Sequence, residues 1–450
     1  MTAMDIGSRR ELFIDEWLIE EMREVELKLQ QPVPREVAIV HDAPWEGNIC
    51  CYHTVFRDGD LFKMYYRGSH YDETTASAAH LEVPCYAESR DGINWYKPEL
   101  GLVDFAGSKS NNIIDVGGSS HCFAPFKDAN PDCASDARYK ALAGQGSDGL
   151  WAFKSADGLS WTRMSDDYVI TEGKFDSQNL GFWDGVRGHY VDYHRNSRER
   201  VRDIMTCSSD DFVHWSEPQW IDFGAAPPEH LYTNQITPYH RAPHILVGFP
   251  KRFTPGRATV EHDYNGVSDG VFISSRDGLH FKRWTEAFIR PGLQPERWVN
   301  RNNMTAWGVV ETLGFLPNVP NELSLYSTES YYRGAACKLR RFALRLDSFV
   351  SVNAPLKGGE LITKPLTFSG RHLRINYSTS GAGSVRVELQ IEVGRAIEGF
   401  ALEDCTEIYG DEIERVVSWN TGNDLSALAG QRVRLRFALS DADLFALHFG

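Results

Sequence analysis

Apolar and polar residues alternate along most of this chain in short runs, and the runs end at Gly, Asn, Asp or Pro. A two-residue period sets one face of a strand against a core and the other toward water. The clearest case is His53-Thr-Val-Phe-Arg-Asp-Gly-Asp-Leu-Phe-Lys-Met-Tyr-Tyr66, which reads as two strands joined at Asp58-Gly59. Gly181 to Tyr193 repeats the pattern, and Ile236 to Phe249 and Ala306 to Tyr326 are looser versions. Spacing of three and four residues is scarce, so the pattern predicts an all-β protein.

A short motif recurs on top of this alternation. Ser89-Arg-Asp-Gly-Ile-Asn-Trp95, Ser155-Ala-Asp-Gly-Leu-Ser-Trp161, Ser209-Asp-Asp-Phe-Val-His-Trp215 and Ser275-Arg-Asp-Gly-Leu-His-Phe281 match, and Arg345-Leu-Asp-Ser-Phe-Val-Ser351 is a degenerate copy. Their shared Asp falls at 91, 157, 211, 277 and 347, at spacings of 66, 54, 66 and 70 residues. That interval fits one four-stranded propeller blade with long loops. The motif predicts a turn between the third and fourth strands. Asp caps the turn, Gly takes a positive φ, and the aromatic packs between blades. The expected architecture is a five-bladed β-propeller over 31–355, with residues 1–30 joining it, Leu12 to Ile19 as the closing strand. After Pro355 five shorter alternating segments, Thr363–Phe368, Leu373–Tyr377, Val385–Val393, Arg415–Ser418 and Val433–Leu439, predict a β-sandwich of jelly-roll type over 356–450.

Composition narrows the function. The 450 residues are 42% hydrophobic and 12% aromatic, ample for a core without metal or disulfide staples. A net charge of −15 disfavours nucleic acid as a partner. No run approaches the roughly 20 apolar residues of a membrane span. Met1 to Ile19 carries Asp5, Glu11, Asp15 and Glu16 and no long apolar stretch, so no secretory signal is expected. The eight Cys are scattered with no CxxC pair, which suits reduced thiols in a cytoplasm. GxGxxG, P-loop and GxSxG patterns are absent, so no nucleotide cofactor is expected.

In a propeller the starts of the first strands, the ends of the second and the starts of the third share one face. The first strands open near Trp45-Glu46-Gly47-Asn48, Ser120-His121, Asp176-Ser-Gln178-Asn179, Tyr232-Thr-Asn234-Gln235 and Arg301-Asn302-Asn303. The second end near Tyr66-Arg67, Gln145, His194-Arg195, Lys251-Arg252 and Glu329, and the third start near Glu82, Trp151, Arg202-Asp203, Asp269 and Arg333. Blade after blade this face carries carboxylates, amides, Arg and His, which are costly to bury without partners. It predicts a working funnel. Aromatic faces stack on sugar CH groups, amides and Arg bind hydroxyls or acids, and a carboxylate pair cleaves a glycoside.

The expected catalytic carboxylates are Asp176, Glu46 and Glu329, and Asp176 reads also as an N-cap or turn residue. Glu46 reads equally as loop surface, and Glu329 as a partner of Arg333. His121, Arg67, Arg195, Arg252, Asp203, Asp269, Gln178, Asn234, Asn302, Trp45 and Trp151 are the expected substrate contacts. His121 also reads as a structural histidine, and Asp203 and Asp269 as ion-pair partners of arginines. The arginines either hold an anionic substrate or neutralise carboxylates. No HxH or HExxH spacing supplies a transition-metal site. No cofactor and no metal are expected in the site; a hydrated structural Ca²⁺ on the propeller axis, needing only carbonyls, a His or Asp and water, stays open.

Five blades followed by a sandwich resemble the invertase and levanase glycoside hydrolases, and the propeller resembles the arabinanase and xylosidase group. Trp45-Glu-Gly-Asn48 stands where the former has a Trp-x-Asn-Asp-Pro-Asn-Gly motif, without the Asp-Pro. Phe175-Asp-Ser-Gln-Asn-Leu-Gly-Phe-Trp183 is similar to the family's Arg-Asp-Pro and following Phe-Trp strand. Tyr232-Thr-Asn-Gln235 replaces its Glu-Cys-Pro, with Glu229 a few residues earlier. The resemblance implies a glycosidase acting on a terminal or short sugar unit. The alternatives are a sialidase-like or uronate-directed enzyme, a sugar lyase, and a non-catalytic carbohydrate-binding propeller. The partner is a small carbohydrate, and a homo-oligomer stays open.

Overall fold

The computed structural model describes residues 3–117, 121–260 and 265–450. Ser120, paired above with His121, lies outside them. Among the described residues the regular elements are β-strands and three single-turn 3-10 helices, so the chain is all-β as its alternation predicts. None of these helices is long and apolar enough to cross a membrane. The eight cysteines are free, and seven are buried.

The chain divides into two compact units. One, Pro32–Tyr239 with Pro243–Ala343, is a succession of antiparallel sheets. The first holds Cys51–Asp58, Leu61–Gly68 and Val83–Ser89, its outer edge bridged by Tyr96. The second holds Ala124–Lys127, Tyr139–Gln145, Gly149–Ser155 and Thr162–Arg163. The third holds Leu180–Asp184, His189–Arg198, Val201–Ser209 and Gln219–Trp220. The next stretch splits at Pro250, which has no N–H to give a ladder. His230–Leu231, Lys251–Thr254 and Val267–Gly270 form one part, and Thr237–Tyr239, Ala242–Gly248, Ile273–Ser275 and Phe281–Arg283 the other. The last sheet holds Val310–Thr312, Glu322–Glu329 and Lys338–Arg345, and its outer strand is Val33–Val40 from the start of the chain.

The innermost strands are tied together by buried amides. Gln178 Nε2 donates to Tyr52 O, His53 O and Thr54 Oγ1 at 3.2, 3.2 and 3.0 Å. Gln235 Nε2 donates to Gln178 Oε1 at 2.6 Å and to Thr305 O at 2.9 Å. First, third, fourth and last sheets therefore meet at one place. Trp307 and Thr54 form a parallel bridge there, and a Cβ on Gly308 would lie 1.9 Å from Val55 O. No other residue type fits that approach.

The repeated motif folds as a turn, as expected. Asp157 Oδ1 accepts the Leu159 and Ser160 N–H groups at 2.7 and 3.0 Å, and Ser155 Oγ accepts Gly158 N–H at 2.8 Å. The copies at Asp91, Asp211 and Asp277 are built alike. Gly92, Gly158 and Gly278 have φ of +71°, +84° and +85°, and Phe212 takes the same place at +69°. Tyr326 donates to Gly92 O, and Tyr193 to Gly278 O, so these two turns are fastened to neighbouring sheets. Asp157→Ala removes the acceptor of two backbone donors and should lower stability by about 1–2 kcal/mol. Thermal unfolding checks it, and an unchanged midpoint would deny the turn this role.

The other unit is Met1–Gln31, His240–Ala242 and Leu344–Gly450. The expectation that residues 1–30 join the propeller is corrected here. Met4–Gly7 pairs with Leu366–Phe368, Glu11–Leu12 with Val433–Phe449, Ile19–Arg23 with Gly359–Thr363, and Glu26–Leu29 with Val350–Ala354. These strands complete a ten-stranded sheet whose apolar face would otherwise lack cover. Leu12 and Ile19 thus belong to this unit, and the strand that closes the last sheet of the other is Val33–Val40. Leu373–Ile391 and Val433–Phe449 pair along most of their length and frame a core around Phe13, Phe437 and the stacked Phe368 and Phe449.

Candidate functional site

Several expected positions converge as the strand-end argument predicts. Arg67 ends a second strand, Glu82 precedes a third, and His121 and Asp176 stand ahead of first strands. His121 Nε2 donates to Asp176 Oδ1 at 3.1 Å, and His121 Nδ1 to Glu82 Oε2 at 2.6 Å. Arg67 Nη1 lies 2.9 Å from Glu82 Oε1. Its Nη2 donates to Ile49 O and Tyr331 Oη, each at 3.2 Å. Arg301 Nη1 donates to the same Tyr331 hydroxyl at 3.4 Å. Asn302 orients Tyr331 by accepting its N–H at 2.8 Å.

Around Tyr232 a second group assembles. Its hydroxyl lies 2.6 Å from that of Tyr52. Arg195, Arg202 and Lys251 approach its ring at 5.0, 5.6 and 4.5 Å from the centroid. Lys251, 2% exposed, donates to Asn300 Oδ1 at 3.1 Å. Asp176 keeps its side chain 49% exposed beside these buried groups. Tyr52, Cys122, Arg301 and Tyr332 all take left-handed φ, between +57° and +70°. Strained non-glycine backbone gathers where a site must hold side chains in fixed positions.

The charge states follow from this packing. Burial opposes a charge on His121, but hydrogen bonds to Asp176, Cys122 and Glu82 outweigh it and push its pKa up to about 12. The doubly protonated ring cannot accept from Arg67, 3.3 Å from Nδ1, so that approach is a contact and not a hydrogen bond. Asp176 is held below the usual carboxylate range: burial opposes its charge, and His121, Arg195 and Arg301 prevail. Glu82 is lowered too, with His121 and Arg67 overcoming burial. Lys251 is driven well below the usual lysine range by burial and by Arg301, Arg202 and Arg195.

Other expected positions have different partners. Glu46 has no exposed side-chain surface. Its carboxylate accepts from Tyr66 Oη and Lys97 Nζ, each at 2.5 Å, and from the Ala43 N–H at 3.0 Å. Glu329 is held by Arg340 through two contacts of 2.7 and 2.9 Å, not by Arg333. Arg252 pairs with Asp269 at 2.9 and 2.7 Å and with Glu229 at 3.1 Å. Asp203 pairs with Arg198 at 2.6 Å. Gln178 serves as the amide tie described above, and Asn234 donates to Tyr193 O. Trp45 donates to Asn112, and Trp151 packs on Tyr168 under Arg163. Tyr52, Tyr331 and Tyr332 were missed by sequence reasoning. Strand-end position alone gave Arg202, Lys251, Tyr232 and Glu82 without marking them as substrate contacts.

His121, Cys122 and Asp176 bring an imidazole, a thiol and a carboxylate within 4.8 Å of one another, and Asp192, His194 and Cys207 do the same in the core of the third sheet. Thiol with imidazole and carboxylate is a zinc-type donor set.

No protein-family model matches the chain. An uncharacterized protein of Mycobacterium tuberculosis is 29% identical over 127 residues, 26% of this chain and 36% of that protein. The match therefore spans about a third of that relative's length. Similar solved structures include an N-acetylgalactosamine deacetylase from F. plautii in complex with blood group B trisaccharide. It shares 13% identity over 72% of this chain and 96% of its own, with a TM-score of 0.48. A GH32 beta-fructofuranosidase of Bombyx mori shares 10% over 92% and 95%, with a TM-score of 0.42. An endo-arabinase of Bacteroides thetaiotaomicron shares 9% over 69% and 98%, with a TM-score of 0.39. Others among these neighbours are named glycoside hydrolases.

Proposed function

We propose that the chain is a carbohydrate-active enzyme, a glycoside hydrolase acting on a terminal or short oligosaccharide unit, with Asp176 as the reacting carboxylate. The unit that carries it reads as a five-bladed propeller, one blade for each successive sheet region, the split fourth region counting once. The C-terminal unit reads as a sandwich with a structural role. The observation that carries the functional reading is a half-exposed, ionised Asp176 beside buried tyrosines and cations. His121 and Glu82 are positioning residues: Arg67 holds Glu82, Glu82 holds the imidazole, and the imidazole holds Asp176.

Glu82, and not Glu46 or Glu329, is the second carboxylate beside His121. Both Asp176 and Glu82 are held ionised, so neither carries a proton for the leaving group. Aryl glycosides, whose phenolate departs without one, are therefore the first probes. The test is hydrolysis of aryl glycosides and oligosaccharides by the purified full chain. Turnover of one class supports the reading and names the substrate. Sugar binding with no turnover across the set would overturn it in favour of a binding module.

A further inference from the structure

We propose that the site selects a sugar bearing an acidic group, gripped by Arg195, Arg202, Lys251 and Arg301. This rests on the carbohydrate reading of the same site and names its substrate class.

Other buried and partly buried cations of this unit have carboxylate partners. Arg252 has Asp269 and Glu229; Arg340 has Glu329; Arg341 has Glu36 and Glu322; Arg67 has Glu82. Lys140, 4% exposed, has Asp128. Each of these is matched by a carboxylate in contact. Arg297, 5% exposed, is a lone exception, held by Asn303 Oδ1. At Tyr232 four such cations lie together. Among the described residues no carboxylate lies in ion-pair contact with Arg195, Arg202, Lys251 or Arg301. Their polar contacts are to neutral oxygens: Lys174 O for Arg195, Asn300 Oδ1 for Lys251 and Tyr331 Oη for Arg301. Six cationic side chains, with Arg67 and His121, face two carboxylates, in a chain whose net charge is −15.

In two of these groups repulsion adds to the effect of burial. Arg202 is lowered by burial and by Arg195 and Arg301, and Lys251 by burial and the three arginines. An oxyanion placed among them removes that repulsion, and a neutral sugar does not. Donor chemistry gives the same answer. Guanidinium and ammonium groups donate and cannot accept. A sugar hydroxyl needs acceptors as well as donors, whereas a carboxylate, sulfate or phosphate ester accepts only, and a guanidinium fork fits it in two bonds.

The test is calorimetric titration of the full chain with D-glucuronate, D-galacturonate, glucose 6-sulfate and glucose 6-phosphate, against D-glucose, D-galactose and inorganic sulfate. At least one acidic sugar should bind tenfold or more tighter than its neutral counterpart, and the preference should shrink with added salt. The preferred member tells a uronate from a sulfate or phosphate ester. Arg202→Gln, at a partly exposed position, should cost the acidic sugar about tenfold or more and leave the neutral control unchanged. Arg301→Gln gives an independent second reading. Equal affinity for acidic and neutral sugars would overturn the proposal and leave the hydrolase reading standing. Inorganic sulfate binding as tightly as the sugar esters and uronates would also overturn it, as a plain anion site. An acidic sugar that binds without any acidic glycoside being cleaved would instead sink the hydrolase reading and keep the subsite.

Discussion

Asp176→Asn should lower turnover on the order of a thousandfold while the unfolding midpoint hardly moves. The substitution keeps the shape and one oxygen but removes the charge that His121, Arg195 and Arg301 hold in place. Its energetic cost to the fold is small, because the side chain is 49% exposed and an exposed ion pair contributes about 0–1 kcal/mol. His121 keeps its grip on Glu82 in the variant. Glu329→Gln is the matched control. It breaks a buried two-contact pair with Arg340, so stability should fall while turnover on intact protein stays within about twofold. Steady-state kinetics beside thermal melts separate the two. Full activity in the Asp176 variant would remove that residue from the chemistry, and loss of activity in a folded Glu329 variant would restore the sequence-based pairing.

The contrast between those residues marks where the sequence was legible. Local features came through, because alternation and the Ser-x-Asp-Gly turn are written in neighbouring residues. The strand-end argument also brought Arg67, His121 and Asp176 to one place, with Arg195 nearby at Tyr232. It failed by single positions. Lys251 faces Tyr232, and its neighbour Arg252 turns to Asp269 and Glu229. Arg202 likewise lies over Tyr232 while Asp203 pairs with Arg198. Successive side chains of a strand point to opposite faces, so a one-residue uncertainty exchanges a group at Tyr232 for one on the opposite face. Long-range partners were out of reach as well. Lys97 lies 51 residues from Glu46 along the chain, and nothing local announces the pair. The first thirty-one residues pair with strands more than 300 positions away, a register that short-range pattern cannot supply.

Glu46→Gln should destabilise the protein by about 3 kcal/mol at pH 7 and flatten the acid limb of its stability curve. Burial disfavours the Glu46 charge, but His41 and Lys97 outweigh it and hold the pKa at about 2 against 4.5 for a free side chain. A folded-state pKa below the unfolded one means that the unfolded chain binds the proton first. The stabilisation is therefore complete above about pH 4.5 and is lost as pH falls toward 2, with stability declining through that window. A difference of about 2.5 pK units corresponds to about 3 kcal/mol. Gln cannot ionise, so the variant starts lower at neutral pH, and the gap from wild type should close toward pH 2. Urea midpoints at pH 7, 4 and 3 read this directly. Parallel curves for the two proteins would show that the Glu46 charge adds nothing to the fold. That result would release Glu46 from the structural role its contacts with Lys97 and Tyr66 give it.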